Sequence, residues 1–385
     1  MQARSLIKNA HLISPGVDAP ETTIEIVDGK IVGVHQSSHD EQLYGDSYDA
    51  AGNWVVPGFI DIHTHGAAGH DFCDGGSDTL RSIAKAKLKE GVTSFLPTTL
   101  TVTETALEEA FRAGESYLSN QVYAKVPGVH VEGPFINPKC VGAQNPEHVR
   151  APNLEEIKRL HSILPVKIVS LAVEMPDGEN LVAGLTDMGV ISSFAHTAAT
   201  YEQFQSAKAA GASHLTHFCN QMTPLHHREI GLVGAGLLDD EIKVEMICDL
   251  IHLCPPMVQL AFKAIDHDRI MMITDSISAS GLADNQRAKL GELDVIVKDG
   301  VARLESGALA GSTLRMNVAL KNIYETTGLP LSALVGTTSF NQAQSLGLAD
   351  RGKIEPGFAA DLVVLDKEFQ PKAVFVDGQI RHQAS

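Results

Sequence analysis

Short apolar runs alternate with longer amphipathic stretches through the middle of the chain, between about residues 57 and 350. The short runs, bounded by turn residues, predict strands, and the stretches with apolar residues three and four positions apart predict helices. The predicted strands are Gly58–Ile62, Ser94–Pro97, Val126–Val131, Ile168–Ala172, Val190–Phe194, Ser213–Thr216, Val244–Cys248 and Ile270–Thr274. The predicted helices include Leu80–Glu90, Thr103–Asn120, Leu154–Leu164 and Tyr201–Ala210. Eight strands that alternate with helices favour an α/β fold, a (β/α)8 TIM-like barrel, over an open doubly wound sheet.

The two ends of the chain have a different pattern, in which short β-branched runs are separated by turn signals. Asp28-Gly29 lies between two apolar runs, and Asp377-Gly378 does the same near the C-terminus. This dipeptide is typical of the tip of a β-hairpin. The run Asp361–Asp366 predicts a further buried strand. We therefore expect both termini to form one small β-sandwich domain, residues 1–56 plus 350–385, around a barrel at residues 57–349.

Charge and hydropathy narrow the classes of partner. The chain has 385 residues, of which 30 are basic and 47 acidic, so its formal net charge is -17. It has no basic cluster of the kind that tracks a phosphate backbone, which disfavours nucleic acid as a partner. No apolar run approaches the ~18 residues of a membrane span, and the N-terminus lacks the continuous apolar segment of a signal peptide. The five cysteines show no zinc-site C-x-x-C spacing, and we expect a protein of the reducing cytoplasm.

Ligand-type side chains follow several of the predicted strands. His63 and His65 are two positions apart at the end of the first strand, so both imidazoles face the same side. Glu132, His196, His217 and Asp275 lie at the ends of four other strands. In a (β/α)8 barrel the carboxyl ends of all strands meet at one face, which is the catalytic face. The sequence therefore predicts a site where these six side chains converge.

Imidazole nitrogens and carboxylate oxygens together suit Zn²⁺, and also iron or manganese. We predict one or two divalent ions, with zinc as the first candidate. His63, His65 and Asp275 would hold one ion, His196 and His217 the other, and Glu132 would bridge them. His130, next to Glu132, is expected to lie behind the site or in the core. These features indicate a metal-dependent hydrolase.

The same residues carry a resemblance to the N-acetylglucosamine-6-phosphate deacetylases of the amidohydrolase superfamily. The matching stretches cover nearly the whole chain: Pro57–Gly66, Gly91–Thr98, His130–Phe135, Gly142–Pro146, His196–Thr197, Thr216–His217, Thr274–Asp275, Leu309–Ser312 and Gly352–Val364. Glu132 in Val-Glu-Gly-Pro-Phe, where many relatives have a carboxylated lysine, is specific to the sugar-phosphate deacetylases. The resemblance implies a barrel flanked by a small β-sandwich.

The resemblance also implies an activity in amino-sugar catabolism, the hydrolysis of N-acetylglucosamine 6-phosphate to glucosamine 6-phosphate and acetate. Asp275 would be the general base and acid. Substrate contacts would fall on Ala143, Gln144, Asn220, Gln221, Arg228, His252, Leu309, Ala310 and Gly311. Arg228 and His252 would hold the phosphate across the interface of a homodimer, so that the neighbouring subunit completes the site.

The sequence departs from the family pattern on the substrate side, at Gln221, Ile230 and Leu250, and Gln144 replaces a histidine. These departures leave open a deacetylase of N-acetylgalactosamine 6-phosphate or of another acetamido sugar. A catalytically inactive sugar-phosphate-binding protein on the same scaffold is a second alternative, since a fold does not fix a function. The intact set of ligand-type residues argues for an enzyme.

Overall fold

The computed structural model describes residues 4–36 and 46–384. The predicted terminal domain thus includes positions outside the described residues, namely 1–3, 37–45 and 385. No helix in the described ranges is long and apolar enough to cross a bilayer.

Strands occupy both ends of the chain, and strands alternate with helices between them. The strands are β1 (Arg4–Ser14), β2 (Val17–Val27), β3 (Lys30–His35), β4 (Asp46–Asp49), β5 (Trp54–Pro57), β6 (Phe59–Thr64), β7 (Gly66–Ala67), β8 (His70–Asp71), β9 (Val92–Pro97), β10 (Val129–Glu132), β11 (Val166–Leu171), β12 (Ile191–Phe194), β13 (His214–Leu215), β14 (Lys243–Ile247), β15 (Ile270–Ile273), β16 (Arg287–Leu290), β17 (Leu293–Lys298), β18 (Val301–Leu304), β19 (Leu362–Leu365), β20 (Pro371–Val376) and β21 (Gln379–Gln383). The α-helices are α1 (Thr79–Leu88), α2 (Glu104–Leu118), α3 (Leu154–Ile163), α4 (Gly178–Asp187), α5 (Tyr201–Ala209), α6 (Gly231–Leu238), α7 (Pro255–Ala264), α8 (Met316–Thr327), α9 (Leu331–Leu334) and α10 (Phe340–Ser345).

The eight strands predicted in the middle of the chain are all present and parallel. Strands β10 to β15 form one sheet in chain order, and β6 pairs with β9. The bridge between Thr98 and His130 connects β9 to β10, and the bridge between Thr64 and Ser276 connects β6 to the segment after β15. The strand predicted to begin at Val126 begins at Val129 instead, because Pro127 has no N–H to donate to a ladder.

The two termini share a mixed sheet. Its order is β21-β20-β19-β5-β1-β2-β3, and β4 pairs with β1. The predicted hairpin tips are confirmed, since Asp28-Gly29 joins β2 to β3 and Asp377-Gly378 joins β20 to β21. All four turn residues have positive φ, which a tight two-residue hairpin turn requires. The sheet packs on its own apolar cluster, including Ile24, Val55, Leu362 and Phe375.

A second small sheet was not predicted. Strands β16, β17 and β18 form an antiparallel sheet between β15 and α8. Its apolar side chains, Leu290 and Val295 among them, pack with Leu100 and Ile277 in a separate cluster. This sheet lies against the carboxyl end of the parallel strands and therefore covers part of the region where the ligand-type residues were expected.

A charged network is buried beneath that region. Lys87 lies on the apolar face of α1 and is fully buried. Its Nζ atom is 3.0 Å from Oδ2 of Asp61 and 3.1 Å from Oε2 of Glu90, and it donates to the Thr274 and Ser276 hydroxyls. Burial alone would lower the pKa of Lys87, but the Glu90 and Asp61 carboxylates outweigh burial and raise it. The network joins α1 to β6 and to the segment after β15.

We expect Lys87→Met to destabilise the protein by about 3–5 kcal/mol, because removing one partner of a buried ion pair leaves uncompensated charge in the interior. A shift of the urea unfolding midpoint measures the effect. Lys85→Met, at an exposed position of the same helix, is the matched control. It should leave the free energy of unfolding within ~0.5 kcal/mol of wild type. An unchanged midpoint for Lys87→Met would contradict the structural importance of this network.

Candidate metal centre and substrate cavity

The six predicted ligand-type side chains lie together at the carboxyl ends of the parallel strands. His63 is the next-to-last residue of β6 and His65 directly follows that strand, while Glu132 is the last residue of β10. His196, His217 and Asp275 each come two residues after the end of a strand, β12, β13 and β15 respectively. All six are buried.

Glu132 is the centre of the cluster. Its Oε1 atom is 3.0 Å from Nε2 of His217 and 3.3 Å from Nε2 of His196. The same oxygen is 3.6 Å from Nε2 of His63, and Oε2 is 3.3 Å from Nε2 of His65. One carboxylate thus faces four imidazoles, which is the position that a bridging ligand would occupy.

Asp275 closes the other side of the cluster. Its Oδ1 atom is 3.4 Å from Nε2 of His63 and 3.2 Å from Nε2 of His65. Across the cluster, the Nε2 atoms of His196 and His217 are 3.2 Å apart. The six side chains therefore present two groups of donors that share Glu132.

The spacing of these atoms fits a metal ion. Two ligands that are each ~2.0–2.1 Å from a tetrahedral ion lie about 3.4 Å from one another, close to the separations seen here. The Nε2 atom of His63 is buried and has no hydrogen-bond partner among the described residues, although two carboxylates face it. Both His63-His65-Glu132 and Glu132-His196-His217 have donor atoms close enough to share an ion. The chain therefore has His and Glu side chains that could hold a metal.

A third group, His63-His130-Glu245, also has its donor atoms close together. In His130, however, Nδ1 contacts the carbonyl oxygen of Ile62 at 2.8 Å and Nε2 contacts Oγ of Ser170 at 2.7 Å. Both ring nitrogens are engaged, so His130 has none left for an ion. It lies behind the cluster, where burial and the nearby His63 lower its pKa to about 4.

The electrostatic potential at the cluster favours positive charge. Burial alone would lower the pKa of His63, but the Glu132 and Asp275 carboxylates raise it to about 9. Burial would raise the pKa of Glu132, yet His63 and the hydrogen-bonded imidazoles hold it well below its usual range. The same negative potential that would retain a proton on an imidazole would also retain a divalent cation.

The backbone is strained at three of the six positions. His196, His217 and Asp275 have φ values of 45°, 30° and 49°. Residues with a Cβ atom rarely adopt this left-handed conformation, and each instance costs of order 1–3 kcal/mol. Such strain persists only where the surrounding structure holds it, and it is concentrated at functional sites. The fold therefore directs these side chains toward the cluster at a cost in stability.

A cavity of about 360 Å³ opens directly above the cluster. His65, Glu132, His196, His217 and Asp275 contribute to its floor. Most of the residues predicted to contact substrate also line it, namely Ala143, Gln144, Asn220, Gln221, His252, Leu309 and Gly311. The cavity lies within the size range of small-molecule sites.

Two predicted contact residues are placed differently. Ala310 is fully buried in the apolar cluster with Ile277 and Leu290, so its side chain faces the core and not the cavity. Arg228 is exposed, and its Nη1 atom lies 2.8 Å from Nε2 of His227. It does not line the cavity of its own chain.

Hydrogen bonds fix two polar side chains of the cavity. Gln144 donates from Nε2 to Oε2 of Glu132 at 2.7 Å, and its Oε1 accepts from the backbone N–H of Thr101 at 2.7 Å. His252 contacts Oδ2 of Asp249 through Nδ1 at 2.7 Å. Burial lowers the pKa of His252, but Asp249 outweighs burial and raises it. A protonated His252 can attract an anionic group of a ligand.

Sequence reasoning missed several residues near the site. Leu100, Ile247, Ile277 and Leu290 form apolar parts of the cavity wall, and Leu290 comes from the unpredicted sheet. Glu245, in β14, contacts Nδ1 of His63. The sequence does indicate Glu245, because an acidic residue inside an apolar strand is expected to be buried and to need a polar partner.

Comparison with known proteins places this fold and site in a family. The model of the amidohydrolase family matches residues 54–381. The chain belongs to the amidohydrolase family, which confirms the superfamily inferred from the sequence motifs.

The relatives within the family are more specific. The N-acetylglucosamine-6-phosphate deacetylase of Lysinibacillus sphaericus is 36% identical and covers 99% of this chain and 98% of its own length. The N-acetylgalactosamine-6-phosphate deacetylase of Escherichia coli O157:H7 is 36% identical and covers 85% of this chain and 87% of its own length. The resemblance to the sugar-phosphate deacetylases is thereby confirmed.

Solved structures agree with these relatives. The N-acetylglucosamine-6-phosphate deacetylase of Thermotoga maritima superposes with a TM-score of 0.89 at 36% identity, over 98% of this chain and 100% of that one. An aspartate-to-alanine mutant of the Mycobacterium smegmatis enzyme, in complex with N-acetyl-D-glucosamine-6-phosphate, superposes with a TM-score of 0.91 at 29% identity, over 98% and 99% of the two chains.

Proposed function

We propose that this chain hydrolyses the acetamide of N-acetylglucosamine 6-phosphate to glucosamine 6-phosphate and acetate, as a step of amino-sugar catabolism. The observation that carries the proposal is the convergence of four ligand-type residues and Asp275 at the floor of one cavity, with His63 buried beside them, in a chain of the amidohydrolase family. The names of the relatives supply the substrate class.

The cofactor of this reaction would be one or two divalent ions. Glu132, His196 and His217 would hold one ion, and His63, His65 and Asp275 the other, with Glu132 between them. The mixture of nitrogen and oxygen donors suits zinc first, and iron or manganese as alternatives. When bound, a divalent ion lowers the pKa of water toward ~7 and polarises the acetyl oxygen.

Asp275 is the residue we assign to proton transfer. Its carboxylate would accept a proton from water as the water oxygen bonds to the acetyl carbon. It would then donate that proton to the amide nitrogen as the C–N bond breaks, which releases the amine and acetate. Gln144, held by Thr101 and Glu132, would keep Glu132 in place during these steps.

The architecture that we propose for this activity is a closed (β/α)8 barrel at residues 57–349, with a small β-sandwich domain at residues 1–56 and 350–385. The hydrogen-bonded order of the eight parallel strands and the contact between β6 and the end of β15 support the barrel. The sheet shared by the termini supports the second domain. A cytoplasmic location stays a prediction from the sequence.

The phosphate group needs a cationic partner that the cavity does not fully supply. Among the described residues that line the cavity, none is a lysine or arginine, and His252 is the basic group outside the metal cluster. Arg228 is exposed and has a planar fork that fits a phosphate. We therefore propose a homodimer in which Arg228 from a second copy joins His252 at the phosphate.

A deacetylase of N-acetylgalactosamine 6-phosphate is the second candidate. A relative with that name is as identical to this chain, at 36%, as the first glucosamine-type relative. Gln221, which departs from the glucosamine-type motif, lines the cavity. The difference between the two sugars is the configuration of one hydroxyl, so a few polar contacts would decide between them.

Acetate release from a panel of phosphorylated and free N-acetyl hexosamines, with metal analysis of the same sample, tests the proposal. We expect the phosphorylated glucosamine-type sugar to be the best substrate. Chelation should abolish turnover, and added Zn²⁺ should restore it. Release of no acetate by a metal-loaded sample that still binds the sugar phosphates would favour an inactive binding protein instead.

The panel also tests the phosphate contact. The free sugar should show a much lower kcat/KM than its 6-phosphate, and Arg228→Ala should reduce the rate on the 6-phosphate alone. Equal rates on both forms of the sugar would reject the contact. A higher kcat/KM for the galactosamine-type 6-phosphate would select the second candidate.

A further inference from the structure

Glu245 is a buried carboxylate that the proposed mechanism does not use. It lies in the middle of β14 and is 0% exposed. Its Oε2 atom is 3.1 Å from Nδ1 of His63, which is also 0% exposed. Burying a charged group costs several kcal/mol unless it is paired and hydrogen-bonded. Within the described residues, the side chain that hydrogen-bonds to the Glu245 carboxylate is that of His63, a residue of the candidate metal centre.

This contact assigns a role to each nitrogen of His63. An ionised carboxylate can only accept a hydrogen bond, so Nδ1 carries the proton and donates to Glu245. Nε2 is then the nitrogen that faces Glu132 and Asp275, at 3.6 and 3.4 Å. Nε2 has no hydrogen-bond partner among the described residues. An imidazole that binds a metal through Nε2 needs its proton on Nδ1, and the contact with Glu245 keeps that proton in place while Nε2 is left for an ion.

The other three imidazoles of the cluster have no carboxylate hydrogen-bonded to Nδ1 among the described residues. Nδ1 of His196 contacts the carbonyl oxygen of Cys140 at 2.7 Å, which is a neutral acceptor. Nδ1 of His65 and Nδ1 of His217 are buried and have no hydrogen-bond partner in the described part of the chain. A carboxylate behind an imidazole orients the ring and raises its basicity more than a neutral acceptor does.

We propose that Glu245 is a positioning residue that sets the affinity of the ion held by His63. It acts through the Nδ1 hydrogen bond and does not touch the ion. This inference rests on the proposed function only in assuming that His63 binds a metal. It predicts that the two ion positions differ in their dependence on Glu245, since Glu132, His196 and His217 do not contact it.

Competition between the protein and a chromogenic chelator for Zn²⁺ tests the inference. The variant Glu245→Gln keeps the shape and removes the charge. Loss of such an outer partner typically weakens metal binding by ~10–100-fold, and we expect a loss of this size for the ion that His63→Ala also loses. In the His63→Ala background, Glu245→Gln should have no further effect on zinc affinity.

Two further variants separate this role from a general effect on folding. Glu245→Asp retains the charge and should keep more zinc affinity than Glu245→Gln. Glu156→Gln removes another buried carboxylate, which pairs with Arg150 at 2.6 Å, and should leave zinc affinity unchanged. Thermal unfolding of the metal-free proteins shows whether each variant is folded.

Unchanged zinc affinity in folded Glu245→Gln, or the same loss in the His63→Ala background, would overturn the inference. So would a lower affinity in Glu245→Asp than in Glu245→Gln. Acetate release by the wild-type protein separates the two proposals. If Glu245→Gln loses zinc affinity but the wild type releases no acetate, the proposed function fails and the role of Glu245 stands.

Discussion

Asp275→Asn should lower kcat for acetate release by ~10²–10⁴-fold while the metal content stays near that of the wild type. The amide side chain keeps an oxygen at the position of Oδ1, so it can still face His63 and His65 as the carboxylate does at 3.4 and 3.2 Å. It cannot accept the proton of the attacking water, and general acid–base catalysis typically contributes a factor of this size. Steady-state assays and metal analysis on the same preparation measure both quantities.

Asp240→Asn is the matched control for this variant, because Asp240 is an exposed aspartate outside the cavity. It should have wild-type kcat. Near-normal turnover of Asp275→Asn would contradict the proposed role of Asp275 in proton transfer. A parallel loss of metal and of activity would instead assign Asp275 a role only in holding the ion.

Glu132→Gln should remove bound metal and activity together. Glu132 is the one side chain that faces all four imidazoles of the cluster, at 3.0 to 3.6 Å. Without its charge, neither donor group keeps its bridging carboxylate. Loss of a residue that only hydrogen-bonds to a metal ligand typically weakens metal binding by ~10–100-fold. Because Glu132 would bind the ion directly, we expect a larger loss of metal affinity for Glu132→Gln. Zinc affinity by chelator competition and acetate release are the two measurements.

The control is Glu179→Gln, at an exposed position of α4, which should retain both metal and activity. Glu132→Gln that binds a full complement of metal would contradict the bridging role. If it bound metal fully and had no activity, Glu132 would belong to the chemistry and not to the metal centre.

The sequence predicted the eight parallel strands and the ligand-type residues that end them, because strand and helix periodicities differ clearly in this chain. It missed β16 to β18, although Asp299-Gly300 lies between two apolar runs as Asp28-Gly29 does. The predicted barrel has only alternating strands and helices, so an antiparallel sheet inserted after β15 was not expected. The apolar wall that this sheet gives to the cavity, through Leu290, was therefore missed too.

Two buried charges could have been found by the same physical rules. Lys87 lies three and four positions after Ala84 and Ile83, on the apolar stripe of α1, and an ionised residue there must have a partner. Glu245 interrupts an apolar strand in the same way. Glu90, one partner of Lys87, is only three residues away. The other partner of Lys87, Asp61, and the partner of Glu245, His63, are far away in sequence, so no local pattern could have paired them.

The left-handed backbone of His196, His217 and Asp275 has no local signal, since none of these residues is a glycine. Only the tertiary structure imposes that conformation. The position of the Ala310 side chain could not be predicted either. The Leu309–Ser312 motif predicts that this loop lies at the site, but it does not predict which of its side chains is buried in the core.

The strained conformations lie at the ends of three different strands, and each can be held only after those strands have paired with their neighbours. An unfolded chain therefore lacks the complete chelating geometry, whatever ions surround it. It follows that the centre is fully loaded only as the polypeptide folds, and that an ion bound there stabilises the folded chain. The supply of cations would then govern how much of the newly made protein becomes competent.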